Sequence, residues 1–360
     1  MSDHGPQDAD VIPTTRPLAV GVTPMESRRD VIRRLAILAE ELGYSGFFVA
    51  EGWGHDAGVL LTEIAVRTSR IRLGTGVLNT WGRSAAGIAM LAASLADVSG
   101  GRFILGLGAG SPALAEGWHG TAFSAPVARL GAVTRHVRTL LAGGRVEPSA
   151  SAARPLRLAT PTPVDVPIYL AGLGPAAVRL SGELADGWVP FLLPASGLDA
   201  GVRLLEEGLA RRPDGGQLPL IAPSLPVAVS SQPAAARGLA WWWVSFYLTR
   251  MGPLYARALR DLGLADGVDA VLAHGDGVPS IVPRPARDLV DELVLWGDEG
   301  EARSRLDRWY AAGAQMPVVV LPPGRGLPEL EEMLVALRPT ADPAPQHGHL
   351  HPSAASAAQR

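Results

Sequence analysis

The sequence predicts an α/β fold, a (β/α)8 TIM barrel with a helical insertion before strand eight. Eight short runs of β-branched and other apolar residues recur along the chain, and segments with apolar residues at helical spacing separate them. Connections between the two are short, which favours a parallel sheet covered by helices. The 360 residues suffice for one such barrel as a single domain. An open sheet would need no eighth strand.

The first strand is expected over residues 17–22 (PLAVGV), and a helix over 27–42 with Val31, Ile32, Leu35, Leu38 and Leu42 on one face. Strand two covers 46–50 (GFFVA), followed by the loop EGWGHDA and a helix over 58–68. Strand three lies in 71–83, IRLGTGVLNTWGR, where the run ends in two glycines and a polar break. A helix over 85–98, strand four over 102–107, a glycine-rich loop and a helix over 127–141 follow. Residues 141–164 are irregular and rich in Pro, Ala and Ser, which suits a surface connection. The pattern resumes with strands at 167–170, 187–190 and within 220–229, and helices at 176–185 and 198–210. Residues 234–293 are helical in character but broken at Gly252-Pro253 and Gly267, which marks the insertion; strand eight is 318–321 and the closing helix 327–337. The barrel is thus expected over residues 14–339, with disordered tails at 1–13 and 340–360.

Composition removes several classes of function. Hydrophobic residues make up 47% of the chain and charged residues 19%, at a net charge of −3, so neither disorder nor a nucleic-acid partner is indicated. With no cysteine there is no thiolate chemistry, and with no lysine there is no Schiff base; all 32 basic residues are arginine. No run reaches the roughly 18 apolar residues of a spanning helix, and the polar N-terminus lacks the order of a signal peptide, so a cytoplasmic protein without a membrane partner is expected. His347, His349 and His351 have no scaffold around them, and no metal site is expected.

In a barrel of this kind function sits where the strands end. Glu51, Trp53, His55 and Asp56 follow strand two; Asn79, Trp81 and Arg83 follow strand three; Ser111, Glu116, Trp118 and His119 follow strand four. Acids, imidazoles and indoles together suit a site that binds a flat ring and moves a proton beside it. Asn79 is the one asparagine in the chain, fitted either to hydrogen-bond a heterocycle or to make an ordinary turn. After strand five, Gly172 and Gly174 precede a helix starting near Pro175, whose free amides suit a phosphate. The stretch GLGAGS at 106–111 imitates a dinucleotide fingerprint but follows the wrong strand and meets Pro112.

The ordered set RIRLGTGVLN, SLADVSGGRFILGLGAG, AEGWHG and PIYLAGLGPAAVRLSGELADGW resembles the luciferase-like monooxygenase superfamily, in particular its branch that uses the deazaflavin coenzyme F420. YLTRMGPLYARALRDLG and RDLVDELVLWGDEGEARSRLDRWYAAG extend the likeness, which runs from about residue 17 to 322. The resemblance implies a bulged third strand with a cis peptide at Gly76–Val77 beneath the ring, Asn79 at the ring edge, and Gly108, Gly110 and Ala171 lining the cofactor. It further implies the amides of Gly172, Leu173 and Gly174 at the phosphate, with Arg325 as a candidate side chain there. The proton donor falls among Glu51, His55 and Glu116, with Trp53, Trp81 and Trp118 around the substrate. Relatives that oxidise alcohols carry an acid–histidine pair after strand two and a glutamate after the strand-four glycines. Here Glu51–Gly52 and Ser111–Pro112 stand instead, which favours reduction of an activated C=C or C=N bond in a small-molecule substrate. Rival readings are an FMN-dependent monooxygenase using oxygen and a barrel that binds a flavin or other small ligand without turnover. The resemblance also implies a homodimer.

Overall fold

Each strand begins from residues with nowhere to be but inside. The computed structural model describes residues 16–145, 154–160, 165–213, 215–275, 277 and 282–340; the expected tails, with His347, His349 and His351, and part of the 141–164 connection lie outside these. The first half alternates β1 (Ala19–Val22), α1 (Arg29–Glu41), β2 (Gly46–Val49), α2 (Ala57–Ala65), β3 (Arg72–Thr75), β4 (Leu78–Asn79), α3 (Ala85–Val98), β5 (Phe103–Gly108) and α4 (Pro126–Leu141). The second half runs β6 (Ile168–Ala171), α5 (Pro175–Leu184), β7 (Gly187–Trp188), α6 (Leu198–Leu209), β8 (Leu220–Ile221) and β9 (Ser224–Val229). Then come α7 (Pro233–Arg250), α8 (Pro253–Asp261), α9 (Ala265–His274), α10 (Arg284–Leu293), β10 (Leu295–Gly297), α11 (Glu299–Ala311), β11 (Val318–Leu321) and α12 (Leu327–Ala336).

All strand pairs are parallel, in the order β10-β9-β11-β1-β2-β3-β5-β6-β7-β8. The ring closes because β8 and β9 are two halves of one stretch: Ala222 N–H donates to the Trp188 carbonyl and Ser224 N–H to that of Pro190. Eight strand positions result, as the apolar runs predicted, because strands covered on both faces are apolar throughout. Strand three is split into β3 and β4, the expected bulge; two details escape the sequence, the split of strand seven into β8 and β9 and a short strand, β10, that adds to β9 outside the ring. Helices α7 to α10 form the expected insertion.

Two apolar layers result. Between strands and helices pack residues such as Ile32, Leu35, Phe47, Leu61 and Leu73. Inside the ring sit Phe48, Ile104, Tyr169, Val189, Met316 and Val318, with the Phe48 and Tyr169 rings stacked at 6.5 Å. This plug fills the lower barrel, beneath the carboxyl ends of the strands.

Glu40 fastens the amino-terminal side: its carboxylate accepts from the amides of Ser69, Arg70 and Ile71 at 2.7–3.1 Å, setting the turn into β3. Burial works to raise its pKa, but these amides outweigh it and the group is held below the ordinary carboxylate range. A depressed folded pKa contributes stability that is complete above the unfolded value and is lost as pH falls through the folded one. Glu40→Gln is therefore expected to be less stable than the parent at neutral pH, with the gap narrowing between about pH 6 and pH 3. Urea midpoints across that range check this; a gap that widens on acidification contradicts it.

Candidate active site at the carboxyl ends of the strands

A cavity of about 210 Å³ opens where the strands end. Its depth is made by Gly21, Phe48, Val318 and Val320 from three neighbouring strands. Thr23 and Pro24 after β1, Ala50 and Glu51 after β2, and Gly76 and Val77 between β3 and β4 form one wall. Ala171, Val189, Phe191 and Ser224 form the other, and Tyr247, Met251 and Tyr255 reach in from the insertion. A wider cleft of about 300 Å³ lies near Arg16, Arg303 and Arg338, at the amino-terminal side of β1. Two of its arginines are paired, Arg16 to Asp307 and Arg303 to Glu299, and conserving stability is the usual work of that end of a barrel.

The strand-three break gives the wall its shape. Gly76 N–H donates to the Val49 carbonyl and the Val77 carbonyl accepts from Glu51 N–H, so the break stays tied to β2 and its exit while Gly76 and Val77 line the cavity. The expected bulge is there, but the expected cis peptide is not: Gly76–Val77 is trans, the lower-energy form, and both flanking groups find partners in it. The glycines of β5 exist for this break. A Cβ on Gly106 would lie 2.1 Å from the Thr75 carbonyl oxygen, and one on Gly108 would lie 2.8 Å from Val77. Gly110, at φ +67°, lies against Asn79 and Trp81. Gly108 and Gly110, expected at a cofactor, therefore pack against the third strand and its exit loop.

Of the three candidate proton donors, the structure brings Glu51 alone to the cavity. Both of its oxygens are engaged: Oε1 accepts from Arg83, and Oε2 from the Ala57 amide at 3.0 Å. Arg83 forks to Asp56 as well, at 2.5 Å, and Glu51 foremost holds its guanidinium more firmly protonated than usual. His55 is exposed and turns to the Ser27 carbonyl at 2.9 Å. Glu116 is exposed on a π-helical turn, Ala113–Trp118, and accepts from Phe123 N–H at 3.0 Å.

None of the three tryptophans lines this cavity. Trp53 and Trp118 are 48% and 60% exposed, while Trp81 is buried between Phe123 and the Arg129 guanidinium and donates to the Ala109 carbonyl. Asn79 does turn work: Oδ1 accepts from the amides of Trp81 and Gly82, and Nδ2 lies 3.3 Å from His119 Nε2. At the start of α5, Trp188 Nε1 donates to the Gly172 carbonyl, Leu173 is half-buried, and a Cβ on Gly174 would meet nothing within 4 Å. Arg325 sits across the β11–α12 loop beside Glu329 and is not in the cavity wall.

Sequence reasoning did not single out the aromatic residues of the far wall. Phe191, Tyr247 and Tyr255 pack together with centroids 4.7–6.1 Å apart. Tyr247, Met251 and Tyr255 recur every fourth residue, a helical signal hidden by the break at Gly252-Pro253. It also missed Thr23, a residue of the wall whose buried hydroxyl has no hydrogen-bond partner among the described residues. Flat apolar and aromatic surface with one carboxylate, Glu51, at its edge fits a planar heterocycle with polar edges.

Comparison with known proteins agrees. A Mycobacterium tuberculosis protein provisionally named a coenzyme F420-dependent oxidoreductase is 32% identical over 314 residues, covering 79% of this chain and 89% of its own. The 5,10-methylenetetrahydromethanopterin reductase of Methanolobus tindarius is 35% identical over 159 residues, covering 43% and 48%. In fold, the coenzyme F420-dependent tetrahydromethanopterin reductase of Methanopyrus kandleri matches with a TM-score of 0.68 at 21% identity, over 90% of this chain and 98% of its own. An FMN-bound type II Baeyer-Villiger monooxygenase from Pseudomonas putida matches with a TM-score of 0.67 at 18% identity, over 90% and 97%. The luciferase-like monooxygenase family model matches residues 12–316, and this chain belongs to that family.

Proposed function

We propose that the chain is a coenzyme F420-dependent oxidoreductase that transfers a hydride between C5 of the deazaflavin and a small organic substrate, reducing an activated C=C or C=N bond. The observation that carries this reading is the cavity itself, at the carboxyl ends of the strands, with Gly76 and Val77 in one wall and aromatic rings in the other. The F420-dependent name of the Mycobacterium tuberculosis relative supports the choice of cofactor. When bound, the deazaflavin supplies the hydride chemistry, which no side chain of this composition offers.

The chain's own residues bind and orient. Gly76, Val77 and Ala171 would hold the flat ring, and the amides of Leu173 and Gly174 ahead of α5 would receive a phosphate, where oriented N–H groups and the helix dipole favour an anion. Among the described residues Glu51 is the one carboxylate on the cavity wall. Arg83 and the Ala57 amide hold it as a fixed acceptor, able to orient a donor on the ring or substrate.

A second reading, FMN with oxygen, is favoured by the shared fold of the FMN-bound monooxygenase. Anaerobic mixing of the purified chain with reduced deazaflavin and a panel of activated alkenes and imines separates the two. Oxidation of deazaflavin matched mole for mole by reduced product is expected. Oxygen uptake with reduced FMN, and none of that coupled oxidation, would overturn the proposal; cofactor binding without any turnover would leave a ligand-binding barrel.

A further inference from the structure

Reduction of a C=C or C=N bond adds a hydride and a proton, and the proton needs a donor on the cavity wall. His55 and Glu116 are not on that wall, and among the described residues Glu51, Tyr247 and Tyr255 are its ionisable side chains. Glu51 already accepts on both oxygens, from Arg83 and from the Ala57 amide, so it meets a substrate as an acceptor. The two phenols are left. Neither hydroxyl makes a hydrogen bond among the described residues, yet neither is sealed off as the Thr23 hydroxyl is, so each keeps surface open to a ligand.

The two phenols are not equivalent. Tyr247 is 5% exposed, and the rings of Phe191, Trp243, Phe246 and Tyr255 enclose it at 4.7–5.9 Å between centroids. Tyr255, on α8, is half-buried and meets Phe191 and Tyr247 edge-on, at 6.1 and 5.4 Å. It can touch a ligand in the cavity and still exchange its proton with water. Burial pushes its phenol up to about 12, so the hydroxyl stays protonated through neutral pH. Ser224 puts a further hydroxyl on the same wall. Ala222, two residues earlier on a continuous ladder, belongs to the cluster inside the ring, so the Ser224 side chain faces inward as well.

We infer that Tyr255 is a catalytic residue, its hydroxyl donating to the oxygen or nitrogen that activates the substrate's double bond and delivering the proton there. The phenol O–H bond breaks and an O–H or N–H bond forms on the substrate, while the hydride supplied by the bound deazaflavin goes to carbon. The phenolate then regains a proton from water. The inference rests on the cavity being the deazaflavin site and deepens that reading, because it places the activating group of the substrate toward α8 and Ser224.

The test uses the full chain saturated with oxidised deazaflavin and a panel of small conjugated enones and cyclic imines. The member that binds most tightly is labelled with carbon-13 at the carbon bonded to the activating heteroatom, and its NMR signal is read free and bound. In the parent the bound signal should move downfield, as a hydrogen bond to the heteroatom polarises that carbon. Tyr255→Phe should lose this shift and bind about fivefold more weakly, the loss of one hydrogen bond. The variant keeps the ring and its packing, so a tyrosine that only fills the wall would leave shift and affinity unchanged. With reduced deazaflavin, anaerobic reduction of the same compound should slow about a hundredfold or more in Tyr255→Phe. A downfield signal retained in Tyr255→Phe, its loss in Tyr247→Phe alone, an unslowed reduction, or no binding of any panel member to the loaded chain would overturn the inference while the cofactor reading stands. Failure of the chain to bind deazaflavin removes both.

Discussion

Gly106→Ala is expected to destabilise the chain by about 3 kcal/mol or more, at the upper end of what overpacking costs. The added methyl would sit 2.1 Å from the Thr75 carbonyl oxygen, and backbone cannot swing aside as a side chain does. Thr75 also clasps the same residue, its Oγ1 donating to the Gly106 carbonyl and accepting from the Gly106 amide, both at 2.8 Å. Relieving the clash therefore breaks this clasp just where β3 gives way to the Gly76–Val77 wall. Urea denaturation of the variant checks the prediction, with Gly238→Ala as the control. Gly238 lies inside α7 with nothing within 4 Å of a built Cβ, so alanine there should stabilise by about 0.5–1 kcal/mol through helix propensity. If both variants behave alike, the close approach of β3 to β5 is not what the structure shows.

Arg83→Ala is expected to cost about 2–3 kcal/mol, because it strips a nearly buried carboxylate of its cation. The Glu51 side chain is 9% exposed and would keep only the Ala57 amide as donor. Asp56 would lose a partner too, but it is half exposed and remains the N-cap of α2, accepting from Gly58 and Val59. The two costs should thus be unequal, and a double-mutant cycle tells them apart. Adding Glu51→Gln to Arg83→Ala should recover part of the loss, since the amide carries no charge to be stranded. Adding Asp56→Asn should recover much less. Strict additivity of Glu51→Gln and Arg83→Ala would show that the ion pair contributes nothing.

The barrel was legible because parallel strands buried on both faces announce themselves as apolar runs, and 318–321 supplied the eighth. The break in strand three was legible as glycines within such a run. What surrounds the later glycines was not: Gly108 and Gly110 make room for Val77, Asn79 and Trp81, which is set by which chain is adjacent in space. Tryptophans look alike in a sequence whether they wall a pocket, fill a core or face water, and Trp53, Trp81 and Trp118 divide between the last two. Asn79 suited a turn and a heterocycle equally well in the sequence, and its oxygen is engaged by the turn. Thr23 gave no signal, since a threonine after a strand is ordinary until its neighbours are known to leave it unpaired.

The central claim, that the deazaflavin ring lies against the Gly76–Val77 wall of the cavity at the strand ends, is tested most directly by fluorescence titration of oxidised coenzyme F420 into the parent and into Ala171→Phe. Ala171 lines the cavity and a phenyl group there takes up space that the ring needs. The account predicts saturable binding at one site per chain in the parent and at least tenfold weaker binding in the variant, with thermal stability of the two ligand-free proteins compared alongside. Equal affinity for the coenzyme in a folded Ala171→Phe protein would contradict it.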